Sequence, residues 1–434
     1  MKHPINIFWF RRDLRLEDNC GLYHALDMNV PVLPIFIFDT EILEKLPKND
    51  ARVTFIHDTL QTMRSKLQEK YRSTIALLHG TPKDVFAQLV KEYNIKAVIT
   101  NHDYEPYARA RDTEIKHFLS KRHIDFISFK DQVIFEKNQI VKADGDPYVV
   151  YTPYMKRWKE KFKTSHLKTF DTKTHLNNLV KQANLPDLSL SDIGFTRSDQ
   201  KVAPYNITPA LIEAYESKRN FPAKDATSKL GPHLRFGTVS IRDIVKRALA
   251  EKNETFWQEL IWREFFMQIL WQFPHTVNQS FKPKYDRIEW RNNESEFKAW
   301  CEGKTGYPLV DAGMRQLNQT GFMHNRVRML VGSFLCKHLL IDWRWGEAYF
   351  AEKLHDYDMA SNVGNWQWVA GSGVDAAPYF RIFNPTTQIE KFDRNLEYVK
   401  TWCPDFQELT YPQPIVEHKF ARERCLEAYK SALE

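Results

Sequence analysis

Residues 1–130 alternate short apolar runs, rich in β-branched and aromatic residues, with segments whose apolar residues recur at helical spacing. The helical segments cover 51–71 and 82–94. The apolar runs that flank them are INIFWF (5–10), VPVLPIFIFD (30–39), TIALLHG (74–80) and KAVITN (96–101). This alternation predicts a doubly wound parallel sheet, in which ligands bind beyond the carboxyl ends of the strands. No GxGxxG follows the first strand, which argues against a nicotinamide-dependent dehydrogenase.

The rest of the chain changes in pattern twice. From 131 to 205 the periodicity weakens and lysine, asparagine, aspartate and proline become common, as in a long connection. After residue 206 the apolar spacing is helical almost throughout. We therefore predict an α/β domain over 1–130, an interdomain linker over 131–205 and an all-α domain over 206–434.

The bulk composition limits the class of protein. The chain has 434 residues, and no apolar run reaches the roughly 20 residues that span a bilayer. The N-terminus lacks the pattern of a signal peptide, so we expect a cytoplasmic protein with no membrane partner. Five scattered cysteines and histidines without ligand spacing argue against disulfides and a metal site. The net charge of +7 fits a polyanionic partner but is too mild to establish one.

Tryptophan is distributed unevenly along the chain. Of the 12 tryptophans, only Trp9 and Trp158 precede residue 250. Trp366 and Trp368 stand two positions apart in SNVGNWQWVAGSGVDAAPYFRIFNP. Residues two apart share no face of a helix or a strand, so these two indoles must face different surroundings.

The segment ELIWREFF brings polar and aromatic side chains onto one helix. Glu259, Trp262, Arg263 and Phe266 are three or four positions apart, so several share a face. Because this helix is apolar nearly all round, Glu259 could be buried, which is costly unless the carboxylate is paired or functional. Its spacing also fits a surface charge beside a packed ring, and the residues alone leave both interpretations open.

Two further segments set charges beside apolar residues. GFMHNRVRML contains Asn325, Arg326 and Arg328, and LHDYDMASNVGNW contains Asp356 and Asp358. A carboxylate in an aromatic region requires a cation or N–H donors, and Arg328 is the natural candidate. Taken singly, these residues also fit solvated arginines at a helix start and ordinary loop aspartates.

The segment DATSKLGPHLRFG has the pattern of a helix N-terminus. Thr227 and Ser228 precede an apolar stretch, and such hydroxyls either bind phosphate or simply cap the helix. Taken together, the segments indicate a tryptophan-rich helical domain with internal charges and basic residues available to a polyanion.

Several long motifs, in the same order along the chain, resemble the photolyase/cryptochrome family nearly end to end. They are FWFRRDLRLEDN, ELIWREFF, MHNRVRM, LIDWRWGEAYF and NWQWVAGSGVDAAPYFRIFNP. The sequence is most similar to the class I photolyases, which repair cyclobutane pyrimidine dimers (CPDs) in DNA with light. The resemblance implies an α/β domain joined by a long linker to an all-α FAD-binding domain, which agrees with the periodicity.

The resemblance also implies one FAD per chain, bound in the helical domain. In this role, Arg328 and Asp356 pair beside the isoalloxazine, Asp358 contacts its N3/O2 edge, and Asn362 faces N5. Insect and plant cryptochromes carry Cys or Asp where this chain has Asn362. The remaining implied FAD-binding residues are Tyr215, Thr227, Ser228, Lys229, Leu230, Gly231, Phe256 and Phe322. Phe256 and Phe322 replace tryptophans of some members, and Gly231 replaces a serine whose phosphate contact is lost.

On the substrate side, the resemblance implies a pocket for a flipped-out dimer. Glu259, as a protonated or proton-sharing carboxyl, would stabilise the dimer. Met329 would lie between flavin and lesion. The implied catalytic residues are Glu259, Asn325, Met329 and Asn362. The residues implied to contact the dimer or the DNA are Arg219, Glu259, Trp262, Arg263, Asn325, Arg326, Trp368 and Gln388. The (6-4) photolyases have a histidine where this chain has Asn325, which disfavours (6-4) repair.

Three tryptophans match the photoreduction path of the family. Trp366, Trp343 and Trp290 correspond to its proximal, middle and surface members, although each alone would be interpreted as core packing. A cryptochrome-type photoreceptor, the alternative function, needs this path but not the dimer pocket. A third reading, a basic non-catalytic DNA-binding protein, would leave the internal charges without a purpose.

The antenna chromophore is left open by the sequence. Folate-binding members have an Asn-Glu pair where this chain has Tyr107 and Ala108, which argues against a folate antenna. An 8-hydroxydeazaflavin, a flavin and no antenna at all remain alternatives. We expect a monomer whose macromolecular partner is UV-damaged DNA.

Overall fold

The computed structural model describes residues 3–182 and 184–434. The strands are β1 (Pro4–Phe10), β2 (Val32–Asp39), β3 (Ala76–Gly80), β4 (Asn94–Asn101) and β5 (Asp125–Phe129). The α-helices are α1 (Cys20–Asp27), α2 (Thr40–Leu43), α3 (Ala51–Tyr71), α4 (Pro82–Glu92), α5 (Pro106–Ser120), α6 (Tyr151–Lys161), α7 (Pro209–Lys218), α8 (Gly231–Arg235), α9 (Ile241–Leu249), α10 (Thr255–Gln272), α11 (Glu294–Glu302), α12 (Pro308–Thr320), α13 (Asn325–Ser333), α14 (Trp343–Lys353), α15 (Met359–Ala370), α16 (Pro385–Phe392), α17 (Glu397–Trp402) and α18 (His418–Leu433). Short 3₁₀ turns and one π-helix, Phe334–His338, complete the described elements.

The described chain forms two compact units that are interleaved in sequence. The first contains the chain up to Glu136, Lys161–Pro204 and Leu230–Arg247. The second contains Lys137–Glu160, Tyr205–Lys229 and Ala248–Glu434. The segment 131–205, predicted as one linker, is thus divided between the units. Its apolar residues are too sparse for a periodic signal, yet they are buried in both units.

The first unit contains a five-stranded sheet in which every described pair is parallel. The strand order is β3-β2-β1-β4-β5, so the connections reverse direction at β1. Alternate side chains of β1 serve two separate cores: Ile7 and Trp9 pack on one side, and Phe8 and Phe10 on the other. The predicted doubly wound parallel sheet is confirmed.

Capping residues define several helix starts in this unit. Asn19 accepts a hydrogen bond from the backbone of Leu22 at the start of α1. Thr81 caps α4 in the same way, and Pro82 occupies the first turn, where a missing N–H costs nothing. These local signals fix where the helices follow the strands and therefore how the sheet is covered.

The second unit is helical and is organised around α10, which is buried nearly all round. Gly364 of α15 lies directly on Phe266 of α10, because a Cβ at residue 364 would stand 2.3 Å from the Phe266 ring. A second contact of this kind places Gly346 of α14 against the indole of Trp366. The all-α second half predicted by the sequence is confirmed, and small residues bring its central helices close together.

A buried ion cluster stabilises the first unit. The Asp131 carboxylate accepts hydrogen bonds from Arg15 at 2.5 Å and from Arg242 at 2.8 Å. Arg242 also contacts the Asp18 carboxylate at 3.0 Å. Burial acts to raise the pKa of Asp131, but the two guanidinium groups outweigh it and lower that pKa.

We expect Asp131→Asn to lower the free energy of unfolding by about 3–5 kcal/mol at neutral pH, because two buried guanidinium groups lose their counter-charge. The folded pKa of Asp131 lies below its unfolded value, so its stabilisation exists above the unfolded pKa. It is lost as the pH falls through the folded pKa. Denaturant unfolding at neutral and acidic pH measures both effects.

The matched control is Glu114→Gln, which removes an exposed carboxylate paired with Lys83 at 2.8 Å. An exposed pair of this kind contributes about 0–1 kcal/mol. Equal losses in the two variants would contradict the role assigned to the buried cluster.

Candidate functional site

Helix α10 and the end of α7 bring four of the predicted site residues together. Arg219, at the C-cap of α7, donates a hydrogen bond from its guanidinium to the Glu259 carboxylate of α10. The guanidinium lies 5.6 Å from the Tyr215 ring centroid. Tyr215 meets Phe256 edge to face, with their centroids 5.2 Å apart. Glu259 is therefore half-buried in an ion pair, which the sequence did not predict.

The start of α13 presents polar side chains on both sides. His324 caps the helix: its Nδ1 accepts a hydrogen bond from the Arg326 backbone N–H. Burial, followed by the charges of Arg328 and Arg326, lowers the pKa of His324 to about 4, so the capping nitrogen keeps its lone pair at neutral pH. Asn325 is exposed, and its amide nitrogen lies 3.9 Å from the sulfur of Met329.

Two arginines of α13, Arg326 and Arg328, contact different partners. Arg328 makes a bidentate ion pair with Asp356, with N–O distances of 3.1 and 2.9 Å. Arg326 instead contacts the Asn220 side chain at 2.6 Å, and its guanidinium lies 4.4 Å from the Phe392 centroid. The predicted partnership of Arg328 with a carboxylate of the aromatic region is present.

The start of α15 contains two buried polar residues. Asp358 caps the helix by accepting a hydrogen bond from the Ser361 backbone. One turn later, the Asn362 amide donates to Glu347 twice, to the carboxylate at 2.9 Å and to the backbone carbonyl at 3.1 Å. Sequence reasoning missed Glu347, although it lies within the motif LIDWRWGEAYF. Burial raises the pKa of Glu347, and the Asn362 hydrogen bond opposes this only in part.

Trp366 and Trp368 occupy different surroundings, as their spacing requires. Trp366 is buried, with its centroid 4.9 Å from that of Phe350 and 6.2 Å from that of Trp300. Trp368 is only partly buried.

Trp343 is buried in the core cluster that also contains Trp366, and Trp290 packs against its edge. The role of Trp366, Trp343 and Trp290 in electron transfer stays a prediction.

The remaining predicted residues are more dispersed. The helix after DATSK begins at Gly231 with Leu230 at its N-cap position, so Thr227 and Ser228 precede the helix without occupying that cap. Lys229 pairs with Asp225 at 2.8 Å. Five further residues predicted to bind phosphate or DNA or to line the pocket are all partly buried: Thr227, Ser228, Arg263, Trp368 and Gln388.

The region predicted to govern the antenna lies in the first unit. The Tyr107 hydroxyl donates a hydrogen bond to the Asp39 carboxylate at the end of β2, and Ala108 is buried. Among the described residues, no group of three or more acidic, histidine or cysteine side chains is arranged to hold a metal. In the same part of the chain, no helix is both long and apolar enough to cross a membrane.

The comparisons with known proteins agree with this architecture. The sequence matches the DNA photolyase family model over residues 6–174 and the model for the FAD binding domain of DNA photolyase over residues 256–410. These matches define a flavoprotein of the photolyase class. A deoxyribodipyrimidine photo-lyase of Agrobacterium fabrum is 38% identical over 98% of this chain and 97% of its own length. One from Escherichia coli is 36% identical over 98% of each.

Solved structures extend the similarity to the whole fold. A bacterial class III photolyase from Agrobacterium tumefaciens has a TM-score of 0.88 at 35% identity, covering 100% of this chain and 98% of that one. An archaeal photolyase from Sulfolobus tokodaii, solved with two FAD molecules, has a TM-score of 0.83 at 32% identity and covers 98% and 99%. The chain therefore belongs to the DNA photolyase family, and the resemblance found in its sequence is confirmed.

We expect Glu347→Gln to stabilise the protein at neutral pH relative to acidic pH. The folded pKa of Glu347 is raised, so the carboxyl contributes stability below its unfolded pKa that is lost as the pH rises through the folded pKa. Glutamine keeps an acceptor for Asn362 but does not titrate. Thermal unfolding should show that the melting temperature of the variant, relative to that of the parent protein, is higher at about pH 7.5 than at about pH 4.

Glu352→Gln, on the exposed side of the same helix, is the control. A pH-independent difference between Glu347→Gln and the parent protein would show that the carboxyl at 347 is not held in an unfavourable environment.

Proposed function

We propose that this protein is a deoxyribodipyrimidine photolyase, which splits CPDs in UV-damaged DNA by light-driven electron transfer from reduced FAD to a flipped-out dimer. The observation that carries the proposal is the Arg219–Glu259 ion pair, whose carboxylate lies on α10 one turn from Trp262. A half-buried carboxyl beside a partly exposed indole suits a base that must be both hydrogen-bonded and stacked. A photoreceptor would not require this combination.

The residues around Asn362 fit a flavin. Both N–H donors of its amide are directed at Glu347, and its carbonyl oxygen has no hydrogen-bond partner among the described residues. This leaves an acceptor suited to the N–H that a reduced flavin presents at N5. Nearby, Asp358 is buried and the Arg328–Asp356 pair is partly exposed, so charge is available at the edge of a polar ring system.

We assign the FAD to the residues that the resemblance implies. They are Tyr215, Thr227, Ser228, Lys229, Leu230, Gly231, Phe256, Phe322, Arg328, Asp356, Asp358 and Asn362. When bound, FAD supplies the one-electron chemistry that no amino-acid side chain provides. Asn362 would accept a hydrogen bond from the flavin, and the Arg328–Asp356 pair would supply charge to its polar edge.

The substrate residues have separate tasks in this proposal. Glu259 and Asn325 would hydrogen-bond the two bases, Trp262 and Trp368 would line the pocket, and Met329 would pack between cofactor and lesion. Arg219, Arg263, Arg326 and Gln388 face the DNA, where cations bind phosphates and release counterions. Breaking the two cyclobutane bonds causes no net oxidation or reduction of the DNA, because the transferred electron returns.

We further propose that Trp366, Trp343 and Trp290 would carry an electron inward from a thiol reductant in solution if the bound flavin became oxidised. The protein is expected to act as a cytoplasmic monomer. Class I membership stays a prediction, because a similar solved structure is described as a class III photolyase. A second chromophore also stays open, and the archaeal relative solved with two FAD molecules keeps a flavin among the alternatives.

Holoprotein with chemically reduced FAD should repair UV-irradiated oligo(dT) under blue or near-ultraviolet light and leave it unchanged in the dark. Repair restores the absorbance of the thymine bases, which dimerisation removes. The measurement is the recovery of absorbance per photon absorbed, at DNA concentrations that saturate the protein.

An oligonucleotide with one (6-4) photoproduct is the matched control and should not be repaired, because Asn325 stands where a catalytic histidine would be required. A protein that reduces its flavin in light but leaves CPDs intact would contradict the proposal and favour a photoreceptor.

A further inference from the structure

Hydrogen bonds join the segment Lys137–Glu160 to α10 near both of its ends. The Trp158 indole N–H donates to the buried Glu264 carboxylate at 2.6 Å. The Gln268 amide donates to the backbone carbonyls of Lys137 and Ile140, both at 2.7 Å. This segment, predicted as a linker, is therefore part of the support of the helix that carries Glu259.

Within this segment, Tyr151 stacks on Trp262. The two ring centroids are 3.5 Å apart and the planes differ by 9°, so one face of the indole is covered by the phenol ring. The Tyr151 hydroxyl donates to the Gln258 carbonyl at 2.7 Å, and its backbone N–H donates to Asp375 at 3.3 Å. Tyr151 is only 6% exposed, and its ring, its hydroxyl and its backbone N–H each contact another residue.

A covered face restricts how Trp262 can receive a base. Phe265 meets the indole edge to face, with the centroids 5.6 Å apart, and Phe266 lies at the same distance in a tilted stack. The half-buried indole is therefore held in one orientation before any DNA binds. A ring already fixed loses little conformational entropy when a base stacks on it.

We infer that Tyr151 is a positioning residue for lesion recognition: by stacking on one face of Trp262, it holds the indole in the orientation that receives the flipped dimer. The inference rests on the proposed function, since it presumes that Trp262 contacts the dimer. Tyr151 itself does not touch the substrate. Its effect is therefore expected in the preference for damaged over undamaged DNA, which general folding would not alter.

The test uses FAD-loaded Tyr151→Leu and Tyr151→Phe. Tyr151→Leu removes the aromatic stack on Trp262, and this loss should weaken binding of CPD-containing duplex by roughly two- to tenfold. Binding of the same duplex without the lesion should be unchanged. Phenylalanine retains the stack and should restore the parent affinity for damaged DNA. Fluorescence anisotropy with labelled duplexes measures both affinities in the dark.

Tyr154→Leu is the matched control. Tyr154 lies one turn further along α6, is also buried, and contacts Phe265 at a centroid distance of 5.1 Å. Its loss should lower the melting temperature while preserving the preference for damaged DNA. If Tyr151→Leu does not retain FAD, Tyr151→His, with a smaller flat ring, should give an intermediate preference.

A double-mutant cycle separates this inference from the proposed function. In a Trp262→Ala background, Tyr151→Leu should cause almost no further loss of preference, because nothing remains to be oriented. Equal effects of Tyr151→Leu and Tyr154→Leu, or an undiminished effect without Trp262, would overturn the inference. Failure of the parent holoprotein to repair CPDs in light would instead overturn the proposed function.

Discussion

The hydrogen bond between the Trp158 indole and the Glu264 carboxylate joins α6 to α10, the buried helix around which the helical unit is organised. Helix α10 is buried nearly all round, and a carboxylate inside such a helix is costly unless it is hydrogen-bonded. The indole N–H meets this need at 2.6 Å and anchors the segment Lys137–Glu160 against α10. This contact holds α10 in place, and with it Glu259 and Trp262, which the helix carries.

The position of α10 in turn determines that of α15. Gly364 allows α15 to approach Phe266 so closely that a methyl group would not fit between them. Asp358, Asn362 and Trp366 all lie on or cap α15, so this approach places the residues proposed to hold the flavin edge and to conduct electrons. Glu347 then fixes the direction of the Asn362 amide. Several residues proposed to bind the cofactor or the substrate thus lie on this one pair of packed helices.

Much of this organisation could be predicted from sequence, and the exceptions have physical reasons. Alternating apolar runs predicted the parallel sheet, and the two-residue spacing predicted that Trp366 and Trp368 diverge. The division of 131–205 between two units could not be predicted, because Tyr151 and Trp158 give no periodic signal. Glu347 and the Arg219–Glu259 pair were also missed, since they join residues from different helices. The roles of Asn362 and Asn325 came from family resemblance rather than from spacing.

In the proposed function, Glu259 acts on the dimer during bond cleavage, and Arg219 holds its carboxyl in place. The most direct test compares Glu259→Gln with the parent holoprotein, both carrying reduced FAD and saturated with CPD-containing DNA, by repair per absorbed photon in single flashes. We expect a severalfold lower repair yield from Glu259→Gln, with nearly unchanged affinity for the lesion. An unchanged yield, or a loss explained entirely by weaker binding, would contradict it.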